Sequence, residues 1–365
     1  MSVGQMNGAA VDMASGHDIV VFTTDPSNAA DLSAIEVLTD HSREDTVFLA
    51  LTDADLPLSK ARALTRAGVD DVLPYPTSGN EIAEQVAEWI AKKRAALEER
   101  YANVSSKGKL IAVQQARGGI GATTIAVNLA DQLLDRRGTF KKEAANRVVI
   151  VDLDLQFGTV GDFLDIDEQE GLLQLAVENF LPDTNWVDQS LRLPSGLAVL
   201  AAPQRFAPLD SLQPEQVAGL IATLKTMFDY VVVDLPRALV GWIEPVLAET
   251  DRLFIVTDMT VPAVRESRRL MDFVLADNAH LPIEMIINRE KKPMMMREHH
   301  REAAKALDVT FNHWIPDDPK AARNAIDFGK PLSEVSTRSE LAKGIYHLAR
   351  AVLAELPKDA VAARV

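Results

Sequence analysis

The sequence predicts an α/β protein in two parts, a larger three-layer, mostly parallel sheet preceded by a smaller α/β domain. Three observations predict it. Short runs rich in Val and Ile alternate with helical stretches along most of the chain, the pattern of parallel strands joined by crossover helices. A Gly-rich turn from Arg117 to Thr124 leads a strand into a helix. Several strands of the same half end in Asp, and strand carboxyl ends are where open α/β sheets bind ligands. At 365 residues the chain exceeds one ordinary core, so two domains are expected.

The elements follow in order. Residues 1–17 are a Gly-, Ala- and Ser-rich lead-in, without the basic start and apolar core of a signal peptide. The first domain is expected over 18–101, with strands at 18–22, 46–51 and 71–75. Helices are expected at 26–39, at 58–67 before Gly68, and at 80–101, where Ile82, Val86, Trp89, Ile90 and Leu97 mostly repeat at helical spacing. Ser105, Ser106 and Gly108 mark a linker over 102–108. The second domain is expected over 109–356. It opens with a strand at 109–115, the Gly-rich loop, and a helix at 122–136 stopped by Gly138. Further strands are expected at 147–151, 197–201, 230–233, 252–256 and 283–287. An amphipathic helix at 341–356 precedes a tail at 357–365, and is expected to pack on the sheet, since basic residues do not dominate its polar side.

Composition narrows the function. Hydrophobic residues at 47% and charged residues at 25% describe a soluble globular chain. With 53 acidic and 38 basic residues the net charge is −15, which disfavours nonspecific DNA binding. There is no Cys, so disulfides, thiolate metal sites and cysteine-bound clusters are excluded, as is nitrogenase-reductase chemistry. No apolar run approaches the roughly 20 residues of a membrane span. A cytoplasmic setting is expected.

The loop chemistry is specific. Gly118, Gly119 and Gly121 allow backbone N–H groups to approach an anion, and the helix N-terminus adds partial positive charge. Thr123 is placed to bind Mg²⁺ through its hydroxyl, and Thr124 to reach an α-phosphate. A phosphate loop normally carries Lys before that Thr, and Ala122 stands there instead. A plain tight turn and a dinucleotide fold are the competing readings. The second lacks its third Gly, and Asp152 lies farther downstream than the roughly 20 residues such a fold expects. Asp234 closes the apolar run Tyr230-Val231-Val232-Val233, and Asp152 and Asp154 close the run before it. Acids so placed hold Mg²⁺ in phosphate-loop NTPases.

These residues resemble the ParA/MinD group of P-loop ATPases, whose loop reads Lys-Gly-Gly-x-Gly-Lys-Thr-Thr. Here Arg117-Gly118-Gly119-Ile120-Gly121-Ala122-Thr123-Thr124 keeps the frame and replaces both Lys. Val151-Asp152-Leu153-Asp154 is similar to the first switch and Val233-Asp234-Leu235-Pro236 to the second. Asn288-Arg289 looks like the adenine-reading pair, and Pro316-Asp317 like the late nucleotide-side loop. The resemblance implies ATP or ADP with Mg²⁺ as ligands and Thr123, Asp154 and Asp234 around the ion. It also implies Asp154 positioning the attacking water, and Arg117 reaching a partner's nucleotide across a homodimer. The competing reading of Arg117 is a solvent-facing side chain.

The Arg and Ala substitutions, with Asp234-Leu235-Pro236-Arg237 and a receiver-like first domain, resemble the CpaE/TadZ family, which localises tight-adherence (Flp-type) pilus machines. That resemblance implies recruitment to the inner face of the membrane or a cell pole. The implied partners are pilus components: a secretion ATPase, an inner-membrane platform or a polar hub. Residues 67–76 resemble the end of a response-regulator receiver, with Tyr75 where receivers carry Lys. Residues 18–22 fit either its first or its third strand, and the third-strand register puts Thr23 near the phosphoacceptor position. No convincing acidic pocket is present in either register. The domain is expected to be a docking or dimerising surface and not a phosphorylation switch.

Losing the loop Lys removes a charge-assisted contact worth roughly 1.5–3 kcal/mol, or ten- to a hundredfold in affinity. The larger cost is expected in hydrolysis, where γ-phosphate charge must be stabilised. The expected behaviour is a nucleotide-linked dimer with slow or negligible turnover. Alternatives are a partition, division-site or flagellar-placement ATPase of the same superfamily, or an interaction module that has lost nucleotide. The 357–365 tail is a poor match for a basic membrane helix. His299-His300 are expected on a solvated helix, since adjacent residues do not share a helix face. Met294-Met295-Met296 are expected in a loop or helix start.

Overall fold

The computed structural model of the chain describes residues 19–26, 28–40, 47–53, 55–79, 82–83, 85–89, 108–137, 143–167, 170–178 and 180–358. The chain divides into two units between Asn103 and Val104.

The first unit alternates β1 (Ile19–Thr23), α1 (Ala29–Asp40), β2 (Val47–Asp53), α2 (Leu58–Arg66) and β3 (Asp71–Tyr75). The three strands run parallel in the order β1-β2-β3. Central β2 is buried from Val47 to Ala50, whereas edge strand β1 leaves Ile19 and Val21 exposed. The core joins Ile35 and Leu38 of α1 to Phe48, Ala50, Leu64, Ala67 and Val69. Gly68 stops α2 at φ +95, a conformation that costs a side-chain-bearing residue energy, and a Cβ there would meet Thr39. Residues 79, 82–83 and 85–89, which follow β3, are helical. Gln85 Nε2 and Trp89 Nε1 both donate to Asp71, at 2.7 and 3.0 Å. The rest of the helix expected to 101 lies outside the described residues, as do 1–17 and 102–107.

The second unit is a seven-stranded sheet with helices on both faces. Its elements begin with β4 (Lys109–Gln115), α3 (Ala122–Leu133), β5 (Val148–Asp152), α4 (Val160–Phe163), α5 (Gly171–Glu178), α6 (Thr184–Ser190) and β6 (Ala198–Leu200). There follow α7 (Pro214–Met227), β7 (Tyr230–Asp234), α8 (Ile243–Glu249), β8 (Arg252–Thr257), α9 (Val261–Asp277) and β9 (Ile283–Asn288). Last come α10 (Glu298–Leu307), β10 (His313–Ile315), α11 (Pro319–Asp327), α12 (Leu332–Val335) and α13 (Glu340–Glu355).

The strand order is β10-β9-β8-β4-β7-β5-β6, all parallel. Period-two alternation divides each central strand between two cores. Leu110 and Ala112 of β4, with Val231 and Val233 of β7, pack under α5 to α10. Ile111, Val113, Tyr230 and Val232 pack under α3, α11 and α13. Strands buried on both faces explain the continuous apolar runs.

The expected strands are present, with ends shifted by a residue or two. Two findings concern termini. Gly108, at the end of the expected linker, packs against the C-terminal turn of α7: its N–H donates to the Lys225 carbonyl at 2.7 Å and a Cβ would strike the Phe228 carbonyl. Helix α3 ends at Leu133, ahead of the stop expected at Gly138, which lies outside the described residues; the turn after it places Asp135 at φ 45. Strand β10 was not expected. At three residues it is too short to show a period, and its pairing with β9 defines it.

Candidate functional site

The site starts where the chain leaves the middle of the sheet. From β4 the chain runs outward to β5 and β6, returns to β7 beside β4, and then crosses to β8, β9 and β10 on the other side, so the β4 carboxyl end is a topological switch point. The Gly-rich loop sits there. Gly119 and Gly121 take φ +71 and +92, and a Cβ on Gly121 would lie 2.7 Å from Asn288 Nδ2. The end of β9 holds the loop from outside. Asn288 Nδ2 donates to the Ile120 carbonyl at 2.6 Å, and an Arg289 guanidinium nitrogen donates to the Gly119 carbonyl at 2.6 Å. Among the described residues no backbone acceptor takes the N–H groups of Gly119, Ile120 or Gly121. With the α3 N-terminus behind them, they form an anion-ready turn.

Beside the loop stand the acids. Asp152 and Asp234 are register partners on β5 and β7. The Thr123 hydroxyl donates to Asp234 at 2.6 Å. Asp152 is fully buried and accepts the N–H groups of Asp154 and Val160 at 3.1 and 3.0 Å. Burial raises its carboxyl to about 7, against those two N–H groups and with the help of the Asp154 charge. Burial also raises Asp234 well above the ordinary carboxylate range, and the Asp152 charge adds to it; the Thr123 hydroxyl offsets part. Asp154 accepts from the N–H groups of Gln156 and Phe157 at 3.2 and 3.0 Å, shaping the turn after β5. Buried, mutually repelling carboxylates next to a hydroxyl are relieved by a cation, and an all-oxygen donor set suits a hard ion such as Mg²⁺.

Two adjoining cavities meet at the loop. One of about 830 Å³ is lined by Gly118, Gly119, Gly121, Ala122, Thr123, Thr124, Asp154, Asp234 and Arg289. The other, about 710 Å³, is lined by Asn288, Pro316 and Asp317, and shares Gly121, Thr124 and Arg289 with the first. Both lie in the usual range for small-molecule sites. The sequence-predicted residues thus gather around one loop, with three refinements. Ile120 is fully buried and contributes its carbonyl. Asn288 has its Oδ1 taken by the Arg289 N–H and one amide hydrogen by Ile120, which leaves one N–H. Asp152 acts beneath the cavity as a support for the Asp154 turn.

Arg117 lines neither cavity. Its guanidinium donates to Asp258 at 2.9 Å. Burial would raise the Asp258 carboxyl, but the Thr260 hydroxyl and N–H and the Arg117 charge outweigh it and lower it. Asp258 lies after β8, 141 residues along the chain from Arg117, and no local pattern announces the pair. Arg237, Gln156 and Phe157 also line the larger cavity; the sequence had used Arg237 only as part of the Asp234–Arg237 segment and had placed none of the three among the site residues. The Arg237 signal was its place three residues after Asp234, the acid that ends β7.

The expectation for His300 is corrected. It is fully buried, not solvated, because α10 turns it inward against Trp314 while His299 stays exposed. Its Nδ1 accepts the Arg297 N–H at 3.2 Å, which leaves the proton on Nε2, 2.8 Å from Glu290. In that tautomer His300 bridges Arg297 and Glu290 as a hydrogen-bonded support. Met294 and Met295 are exposed in the preceding loop.

A Gly loop between the central strand and its helix, with acids on neighbouring parallel strands, defines a P-loop NTPase architecture. Residues 108–281 match a family model described as an AAA domain. The septum site-determining protein MinD of Synechocystis is 26% identical over 231 residues, covering 61% of this chain and 81% of that protein. An uncharacterised Mycobacterium tuberculosis protein is 26% identical over 338 residues, covering 89% of this chain and 87% of its own. Among solved structures, a ParA family ATPase from Chlorobium tepidum is 25% identical with a TM-score of 0.57, covering 67% of this chain and 99% of that one. MinD complexed with Mg-ADP from Pyrococcus horikoshii, 20% identical with a TM-score of 0.54, shares the fold over 67% of this chain and 96% of its own. The second unit belongs to the ParA/MinD-type P-loop ATPase superfamily. Among the described residues, no helix is long and apolar enough to cross a membrane.

Proposed function

We propose that the second unit binds Mg-ATP or Mg-ADP at the Gly118–Thr124 loop and turns ATP over slowly, as a nucleotide-linked homodimer. The observation that carries this is the Thr123–Asp234 pair, held at 2.6 Å on the wall of a cavity floored by the glycine loop. The N–H groups of Gly119, Ile120 and Gly121 would take phosphate oxygens. Thr123 and Asp234, with Asp154 nearby, would hold Mg²⁺, which when bound offsets phosphate charge. Asp154 is oriented by its own turn and would position water. Asn288 and Pro316-Asp317 would face the base end. Ala122 supplies no ammonium, so binding survives on main-chain contacts while turnover suffers.

Calorimetry with Mg-ATP, and turnover compared with Ala122→Lys, test this. Measurable wild-type binding, with affinity and turnover rising roughly ten- to a hundredfold in the variant, is expected. Absence of wild-type binding defeats the nucleotide reading, and fast wild-type turnover defeats the scaffold reading.

We further infer that the chain positions a tight-adherence pilus machine at the membrane or a pole. The Arg117/Ala122 loop, the Asp234-Leu235-Pro236-Arg237 segment and the small N-terminal α/β unit support this. Sequential order β1-β2-β3 favours the third-strand register for residues 18–22, because the first strand of a flavodoxin-like sheet lies inside its order, 2-1-3-4-5. Likeness to MinD favours division-site placement as the second reading. A fluorescent fusion distinguishes them. A polar focus whose loss abolishes pili is expected, whereas mid-cell placement or a nucleoid-wide signal would transfer the assignment to division or partition.

A further inference from the structure

We infer that Arg237 supplies the cation that Ala122 does not, placing its guanidinium on the terminal phosphate of the bound nucleotide. The inference rests on the nucleotide reading and deepens it. Two arginines line the cavity that holds Thr123, Asp154 and Asp234. Arg289 is committed to the loop through its bond to the Gly119 carbonyl. Arg117 lies outside, bonded to Asp258. Arg237 is exposed, and no hydrogen bond or ion pair engages its side chain among the described residues.

Its backbone is held on both sides of Pro236. The Leu235 N–H donates to the Val113 carbonyl at 3.0 Å. The buried Gln114 amide donates to the Pro236 carbonyl at 2.7 Å. Both anchors lie on β4, the strand that launches the phosphate loop. The Arg237 Cα is therefore fixed relative to Gly119 and Thr123, while its side chain is free to extend over the cavity. Asp234 lies three positions earlier on the same segment, so one β7 end would present both an ion ligand and a phosphate cation. Among the described residues, the buried Gln114 side chain makes no other hydrogen bond. A guanidinium suits this post, because it is permanently charged and grips phosphate through a fork of donors.

Charge on the γ-phosphate distinguishes the role from general attraction. Calorimetry on the full chain would compare Mg-ATP with Mg-ADP for the wild type, Arg237→Ala, Arg237→Lys and Ala122→Lys/Arg237→Ala. Arg237→Ala is expected to weaken Mg-ATP roughly ten- to a hundredfold and Mg-ADP clearly less. Arg237→Lys should keep part of the preference, and the double variant should regain it, because an ammonium at position 122 replaces the missing charge. Unchanged Mg-ATP affinity in Arg237→Ala, or equal losses for both nucleotides, overturns the assignment while leaving the nucleotide reading intact. A wild type that binds neither nucleotide overturns both.

Discussion

The two units build the same kind of surface and furnish it differently. Each is a parallel sheet with crossover helices, and in each the strand carboxyl ends form the natural ligand edge. In the second unit that edge carries a glycine loop, Thr123, and the buried acids Asp152 and Asp234. In the first it carries Thr23, Asp53 and Tyr75, and the buried acid Asp31 is engaged by Asn28, Thr24 and the Asp25 N–H. Asp31 and Asp152 are spent on their own loops, whereas Asp234 stands on the cavity wall, buried against the Asp152 charge at a cost that a cation would relieve. Topology supplies the edge in both, and the uncompensated charge separates a candidate site from a scaffold.

The contrast can be broken most forcefully at Gly121. Gly121→Ala forces a side chain to φ +92 and against Asn288. A loss of at least tenfold in Mg-ATP affinity and about 1–3 kcal/mol of stability is expected, read by calorimetry and denaturant midpoint. Retained binding would show that the loop is a mere turn.

Asp234→Asn tests the strained acids. A carboxyl raised in the folded state holds a proton that the unfolded chain has already released, so stability falls as pH climbs from the unfolded value toward the folded one. For Asp152 that window runs from 3.8 to about 7, and Asp234 shifts in the same direction. In Mg²⁺-free buffer the variant should therefore melt higher than the wild type, by a margin that grows from pH 5 to pH 8. It should also lose Mg²⁺-dependent nucleotide binding. A margin that does not change with pH would mean that Asp234 is not raised in the folded state.

The smallest effect is expected in the first unit. Thr23→Ala and Asp53→Asn should leave Mg-ATP affinity within about twofold, since neither residue lines the candidate nucleotide cavities. Treatment with a small phosphodonor should yield no aspartyl phosphate, and a phosphorylated Asp would restore a receiver's switch to this unit.

Much of the architecture was readable because strands buried on both faces need continuous Val- and Ile-rich runs, and glycines at positive φ leave a spacing that few other structures require. Gly119, Gly121, Thr123, Asp154 and Asp234 could be selected from such local patterns. Their cavity, the partner of Arg117 and the inward turn of His300 could not. Each depends on contacts between distant segments: Arg117 with Asp258, Gln114 with Pro236, Asn288 with Ile120. Residue type and spacing determined which groups were available for phosphate and metal chemistry. Tertiary structure decided which were already occupied, because a donor's free valences depend on what the fold packs against it. By that measure Arg117 is held and Arg237 is free.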